Sequence, residues 1–380
     1  MRRRRTRLSR SICFVTGTRA EFGLMRSVLE AIGRRQLQIV VTGMHLDERF
    51  GRTIDRLREE NWRIDAVVDW AKSGRAVAVG RAIWQLAMVF NRLKPHIVLV
   101  VGDRVEAFAA AAAAHLCDIA VAHVHGGDRA LGQMDDALRH ATTKLAHVHF
   151  PATSQSARRL AKMGEDRWRI HRFGSPGIDG IVKAAAGPAS IRRQFPDLKP
   201  RRYALLALHP IDADESVEFR RASMVVGALR KSGVERIVVI YPNNDPGADG
   251  IVRYWEKLGR DRRFIVCRDL PRPVFLGLLR DAAMLVGNSS SGIIEAASFR
   301  TPVIDIGPRQ LGRQRCEDVR NVPYRQSAIA AAVARIWNAG RPRRGKHRNP
   351  YAGHDAGAAI AKVLKRLVID RRLLRKIISY

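Results

Sequence analysis

The chain has 380 residues, 46% of them hydrophobic, which is too long for one ordinary domain and apolar enough to bury two cores of roughly 150 to 200 residues each. No apolar run reaches the roughly 18 to 20 residues that span a bilayer. The four cysteines, Cys13, Cys117, Cys267 and Cys316, are scattered with no Cys-x-x-Cys pair, which argues against a disulfide framework or a metal site and for a cytoplasmic protein.

The net charge of +32 comes from 56 arginines and 12 lysines spread along the whole chain. Such a charge suggests a nucleic-acid partner, but it is spread along the chain and the denser clusters at 2–5 and 341–348 carry no interleaved aromatic residues, which leaves a nucleic-acid binder as a remote alternative to a surface that steers an anionic ligand. After the basic tail over 1–10, β-branched runs at 12–16, 37–42, 64–68, 97–101 and 119–124 are each followed by a stretch of helical period. Such a βα repeat predicts a parallel sheet. The sequence Gly174-Ser175-Pro176-Gly177 interrupts it, and 184–200 is small, basic and proline-bearing, so a first domain is predicted over 1–176. A second series at 203–208, 237–241, 264–266, 284–286 and 302–306 predicts a second domain over 177–355, and 356–380 reads as a helix that packs back on the first. The predicted fold class is α/β, two Rossmann-like doubly wound domains facing a cleft.

Open α/β sheets bind ligands beyond the carboxyl ends of their strands. Reading each predicted strand to its end collects polar groups there: Thr16-Gly17-Thr18-Arg19, Gly43-Met44-His45, Gly102-Asp103-Arg104, His123-Val124-His125-Gly126-Gly127-Asp128, His209-Pro210, Pro242-Asn243-Asn244-Asp245 and Asn288-Ser289-Ser290-Ser291-Gly292. The last of these continues through Ile293-Ile294 to Glu295, a strand that passes through hydroxyls and a glycine into a helix. Free backbone N–H groups and a helix dipole suit a phosphate there, and Glu295 could accept hydrogen bonds from ribose hydroxyls. Read as structure alone, the same segment is a helix start with Gly292 as cap and Glu295 three residues on. Neither the P-loop nor the Gly-x-Gly-x-x-Gly fingerprint is present, so an ATPase or a dinucleotide enzyme has no support.

Taken together and in order, these motifs resemble the UDP-N-acetylglucosamine 2-epimerases from about Ile12 to Tyr324. The matching stretches include Thr16 to Gly23, Gly102-Asp103-Arg104, His123 to Asp128, Asp135 to Lys144, His209-Pro210, Pro242-Asn243, Asn288 to Glu295 and Gly307 to Arg313. The resemblance implies a GT-B-like architecture, UDP held mainly by the second domain, no cofactor and a homodimer. It also implies that Arg19, Asn243, Ser289, Ser290, Glu295 and Arg309 bind the nucleotide while Asp103, Asp135 and His209 act in catalysis. The sequence departs from the family at His125, where several members place a catalytic glutamate, and at Asp128, where glutamate is usual; both join the catalytic candidates.

The motifs around His125, Arg139 and His209 resemble the hydrolysing branch, which feeds sialic-acid-like sugar synthesis. The expected reaction removes the C2 proton of a UDP-2-acetamido sugar, expels UDP from C1 and adds water to the resulting 2-acetamidoglucal, so acid/base groups are needed on both faces of the ring. A non-hydrolysing epimerase and a GT-B glycosyltransferase are the alternatives, and the residues reading C4 and C6 of the sugar are not identifiable from the sequence.

Overall fold

The computed structural model describes residues 10–48, 51–71, 73–129, 135–242, 245–268, 270–338 and 348–377. Their backbone contacts divide them into two compact units, one within 1–128, 134–179 and 353–380 and the other mainly within 180–352.

The first unit holds a parallel sheet of β1 (Ile12–Thr16), β2 (Leu37–Val41), β3 (Ala66–Val67), β4 (Ile97–Val101), β5 (Ala120–Val124) and β6 (Val148–Phe150), in the order β3-β2-β1-β4-β5-β6. Ile12 lies opposite both Leu37 and Ile97, which sets the register at its centre. Side chains alternate across the sheet: Ile12, Phe14, Ile97, Leu99 and Val101 enter one core, and Cys13, Val15, Val98 and Val100 enter the other. Both faces are buried, which is why these strands read as unbroken apolar runs. The second unit repeats the plan with β7 (Ala204–Ala207), β8 (Ile237–Ile240), β9 (Phe264–Cys267), β10 (Met284–Gly287), β11 (Val303–Ile306) and β12 (Val319–Val322), ordered β12-β11-β10-β7-β8-β9. Counted within its own unit each sheet has the order 3-2-1-4-5-6, an arrangement of the doubly wound class that the sequence predicts. The winding reverses between β1 and β4 and again between β7 and β10, and the crevice at such a switch point is where doubly wound sheets take ligands.

Three strands differ from expectation. The run at 64–68 shrinks to Ala66–Val67, and β6 and β12 were not predicted, because a three-residue Val-His-Phe strand and a Val-Arg-Asn-Val stretch carry too little apolar pattern to register.

Near the end of the chain the helix Ala356–Arg366 packs on the helix Arg19–Ile32, contributing Ile360, Ala361 and Leu364 to the core. Its first turn is capped from outside: Asp179 accepts from Ala356 N–H at 3.1 Å and Gly357 N–H at 2.6 Å, and from Ser27 Oγ at 3.1 Å. Farther on, the buried ammonium of Lys376 lies 2.6 Å from Glu165 Oε2 and donates to the carbonyls of Thr143, Lys144 and Ala146 at 2.9 to 3.0 Å. These carbonyls end the helix Asp135–Leu145, so a cation sits at the negative end of its dipole.

Candidate active site

β5 stops at Val124, and the chain turns at once. His125 adopts φ +62°, a left-handed conformation that costs a non-glycine residue about 1 to 3 kcal/mol and survives only where surrounding bonds enforce it. Here its N–H donates to the Phe150 carbonyl at 3.0 Å and its carbonyl accepts from Arg139 Nη1 at 3.1 Å. Two residues later Gly127 has φ +74°, and a Cβ there would fall 2.5 Å from the Ser156 carbonyl oxygen, so the loop can close down on the helix Ser154–Lys162 only with glycine. The turn brings His125 Nδ1 to 2.8 Å from Asp128 Oδ2 and Nε2 to 2.9 Å from Ser175 Oγ; Asp128 Oδ1 accepts from Ser156 Oγ at 2.6 Å. All four residues are buried. Arg139 reaches on to form an ion pair with Asp103, which follows β4 through Gly102 and keeps 18% of its side chain exposed. Asp135 begins the helix that carries Arg139, and its side chain lies outside the described residues.

Behind this loop His123 is buried in β5, its Nε2 donating to the Gly102 carbonyl at 2.8 Å and its Nδ1 3.2 Å from Thr143 Oγ1. Burial lowers its pKa to about 3, so the ring is neutral at pH 7. A carboxylate cluster forms at the carboxyl ends of β1 and β4. Arg104 forks onto both oxygens of buried Glu106 at 3.1 Å, and Thr18 and Glu21 form a capping box in which Glu21 accepts Gly17 N–H at 2.8 Å and Thr18 N–H at 3.0 Å. Withdrawal from water raises Glu21 to about 7, opposed by Arg104 and reinforced by Glu106. His45, between Thr16 Oγ1 at 3.1 Å and Thr53 Oγ1 at 2.8 Å, is lowered to about 4 by burial. Arg19, the first residue of the capped helix, is exposed.

In the second unit β7 and β10 are pinned together just past their ends. The Asn288 side chain accepts from His209 N–H at 2.7 Å and donates to the His209 carbonyl at 2.8 Å, with Tyr324 Oη 3.2 Å away. The Asn288 carbonyl in turn accepts from Arg309 Nη1 at 3.3 Å and Gln310 Nε2 at 2.9 Å. Arg309 is 7% exposed and 3.5 Å from Asp245; burial pulls its pKa below the usual guanidinium range and Asp245 pushes back. The helix after β10 is only Ser290–Ile294. Its cap is Ser289, whose hydroxyl accepts from Ser291 N–H and lies 2.8 Å from Ser291 Oγ, and Glu295 closes its far end. This corrects the expected cap at Gly292: a serine hydroxyl supplies the acceptor that glycine lacks, and Gly292 instead packs tightly on Leu285 and Val303. Glu295 Oε1 is paired with Arg272 at 2.8 Å. Asn243 lies outside the described residues.

With two doubly wound sheets and these motifs at their switch points in hand, the sequence matches the UDP-N-acetylglucosamine 2-epimerase family over residues 28–365. The chain belongs to that family. A Legionella pneumophila protein named UDP-N,N′-diacetylbacillosamine 2-epimerase (hydrolyzing) is 35% identical over 381 residues, covering 98% of this chain and 100% of that one. A UDP-N-acetylglucosamine 2-epimerase from Neisseria meningitidis is 32% identical over 339 residues, 88% and 89% of the two chains. Among solved structures, a UDP-GlcNAc 2-epimerase from Neisseria meningitidis bound to UDP-GlcNAc superposes with a TM-score of 0.77 at 18% identity, covering 94% of this chain and 100% of that one, which establishes a shared fold.

Within the first unit of this epimerase-family chain the structure joins Asp103, His125 and Asp128 through Arg139; within the second it joins His209 and Arg309 through Asn288, while the Ser289 side chain bonds to Ser291 and Glu295 pairs with Arg272. The joining residues Arg139, Asn288, Ser156 and Ser175 were not singled out from the sequence. Arg139 and Asn288 stand inside the family motifs, which was the available signal. Ser175 stands in a stretch that reads only as a chain break.

Proposed function

We propose that the protein is a hydrolysing UDP-2-acetamido-sugar 2-epimerase, releasing UDP and the free 2-epimer. What carries the reading is the full-length similarity to the Legionella protein whose name specifies hydrolysis. That name also makes UDP-N,N′-diacetylbacillosamine a substrate to set beside UDP-N-acetylglucosamine.

The reaction begins when a base takes the C2 proton and the C1–O bond to UDP breaks, its electron pair leaving with the diphosphate. Water then adds its oxygen to C1 of the glucal and a proton returns to C2 from the opposite face. Asp103, His125, Asp128, Asp135 and His209 are the acid/base set. Asp103 is suited to meet a substrate, since its carboxylate keeps an exposed edge while Arg139 fixes its direction. His125 and Asp128 act as one unit, because carboxylate and ring are hydrogen-bonded out of bulk water. Arg19, Asn243, Ser289, Ser290, Glu295 and Arg309 form the nucleotide set, with the buried guanidinium of Arg309 stabilising negative charge on the departing diphosphate. The positioned donors do this without a cofactor. The family resemblance also supports a homodimer acting in the cytoplasm; light scattering reads the first point.

Incubation with each of the two UDP-sugars, with UDP and free sugar measured together, tests the proposal. Equimolar UDP and 2-epimer support it. A UDP-linked epimer with no UDP released would indicate the non-hydrolysing reaction, and substrate left intact until an acceptor is added would indicate a transferase.

A further inference from the structure

The stretch Gly174-Ser175-Pro176-Gly177, which reads from the sequence only as an interruption, carries a hydroxyl that the backbone does not use. Ser175 precedes the short turn Pro176–Ile178, where a serine side chain commonly caps the following N–H groups, yet it makes no such bond. Its Oγ instead lies 2.9 Å from His125 Nε2, across 50 residues of sequence, and the residue is fully buried. On the other side of the ring Asp128 accepts from His125 Nδ1 at 2.8 Å and from Ser156 Oγ at 2.6 Å.

A carboxylate is acceptor only, so the ring donates from Nδ1 to Asp128, and the serine hydroxyl, which can donate or accept, meets the ring's other nitrogen. Carboxylate, imidazole and hydroxyl stand in the same order as in a hydrolase triad, where each member fixes the tautomer and direction of the next. Here Asp128 and Ser175 hold the two ring nitrogens from opposite sides. Four residues beyond Ser175, after Asp179, the chain leaves the first unit, so the same hydroxyl ties the His125 loop to the crossing segment.

We propose that Ser175 is a positioning residue for the His125–Asp128 pair, its hydroxyl holding the imidazole at Nε2 so that Nδ1 stays aimed at the Asp128 carboxylate. The inference rests on the epimerase reading for its kinetic consequence but not for its structural one. Two measurements therefore separate them. The first is a nitrogen–proton multiple-bond NMR correlation of the histidine side chains in the substrate-free protein at pH 7.5, with His125→Gln assigning the resonance. Wild type is expected to show an Nε2 resonance displaced by its hydrogen-bond partner, Ser175→Ala should shift that resonance, and Ser175→Thr should keep it at the wild-type position. The second is turnover: Ser175→Ala should lower kcat by tenfold or more with KM nearly unchanged, and Ser175→Thr should recover most of it. A wild-type Nε2 resonance and wild-type kcat in Ser175→Ala would overturn the proposal. An inactive wild type would remove the epimerase reading alone, since the Nε2 resonance still decides what Ser175 does.

Discussion

Acid should unfold the first unit through its buried histidines, and His123 is the most instructive to change. Its ring is fully buried between the Gly102 carbonyl and Thr143, and burial lowers its pKa from 6.5 to about 3. The unfolded chain therefore binds a proton near pH 6.5 that the folded protein refuses. Stability from this group is complete above pH 6.5 and is lost as pH falls from there toward 3. At about 1.4 kcal/mol per pH unit the loss is about 2 kcal/mol by pH 5 and about 5 kcal/mol by pH 3. His45 and His147, each lowered to about 4 chiefly by burial, add about 2 kcal/mol apiece by pH 5. Together the three remove about 6 kcal/mol, comparable to the whole stability of many domains, which is about 5 to 15 kcal/mol. His123→Gln keeps a nitrogen donor for the Gly102 carbonyl but cannot take up the proton. Urea unfolding followed by tryptophan fluorescence at pH 7.5, 6.5, 5.5 and 5.0 should give a variant whose stability falls by about 2 kcal/mol less than wild type across that range. Equal slopes in the two proteins would refute the assignment of a buried neutral ring.

Ser290→Ala, Glu295→Ala and Arg309→Ala should each weaken UDP binding in calorimetry, Arg309→Ala by about ten- to a hundredfold given the roughly 1.5 to 3 kcal/mol of a charged hydrogen bond; unchanged affinity in all three would remove the nucleotide assignment. Gly287→Ala should destabilise the second unit by more than about 3 kcal/mol in thermal or urea unfolding, because φ is +135° and the new Cβ would lie 2.0 Å from the Ala207 carbonyl oxygen. Lys376→Met should cost about 3 to 5 kcal/mol by leaving Glu165 buried without its nearest cation, and hydrogen exchange should rise at the end of the helix Asp135–Leu145.

The sequence made the sheets legible wherever a strand is buried on both faces, as at Ile12–Thr16 or Ile97–Val101, since an unbroken β-branched run has few other readings. It failed at Val148–Phe150 and Val319–Val322, where pairing with a neighbouring strand, not local pattern, creates the strand. Strand ends located Asp103, His125, Asp128 and His209 because position at a carboxyl end is itself a local property. What fixes those side chains was hidden: Arg139 meets Asp103 across 36 residues and Ser175 meets His125 across 50, and no pattern within either segment records the partner. The cap at Ser289 was misread because Ser289, Ser290 and Gly292 all suit a helix start, and only the backbone selects among them.

The central claim concerns a proton and a bond, and one experiment watches both. Purified protein is incubated in D2O with UDP-N-acetylglucosamine and, separately, with UDP-N,N′-diacetylbacillosamine, and proton NMR follows C1, C2 and the uridine signals. The account predicts that with at least one of them free UDP appears in step with the free 2-epimer, and that this sugar carries deuterium at C2. Release of UDP with the C2 proton retained and its configuration unchanged would contradict it, because the bond to UDP would then break without the elimination on which every assigned role depends.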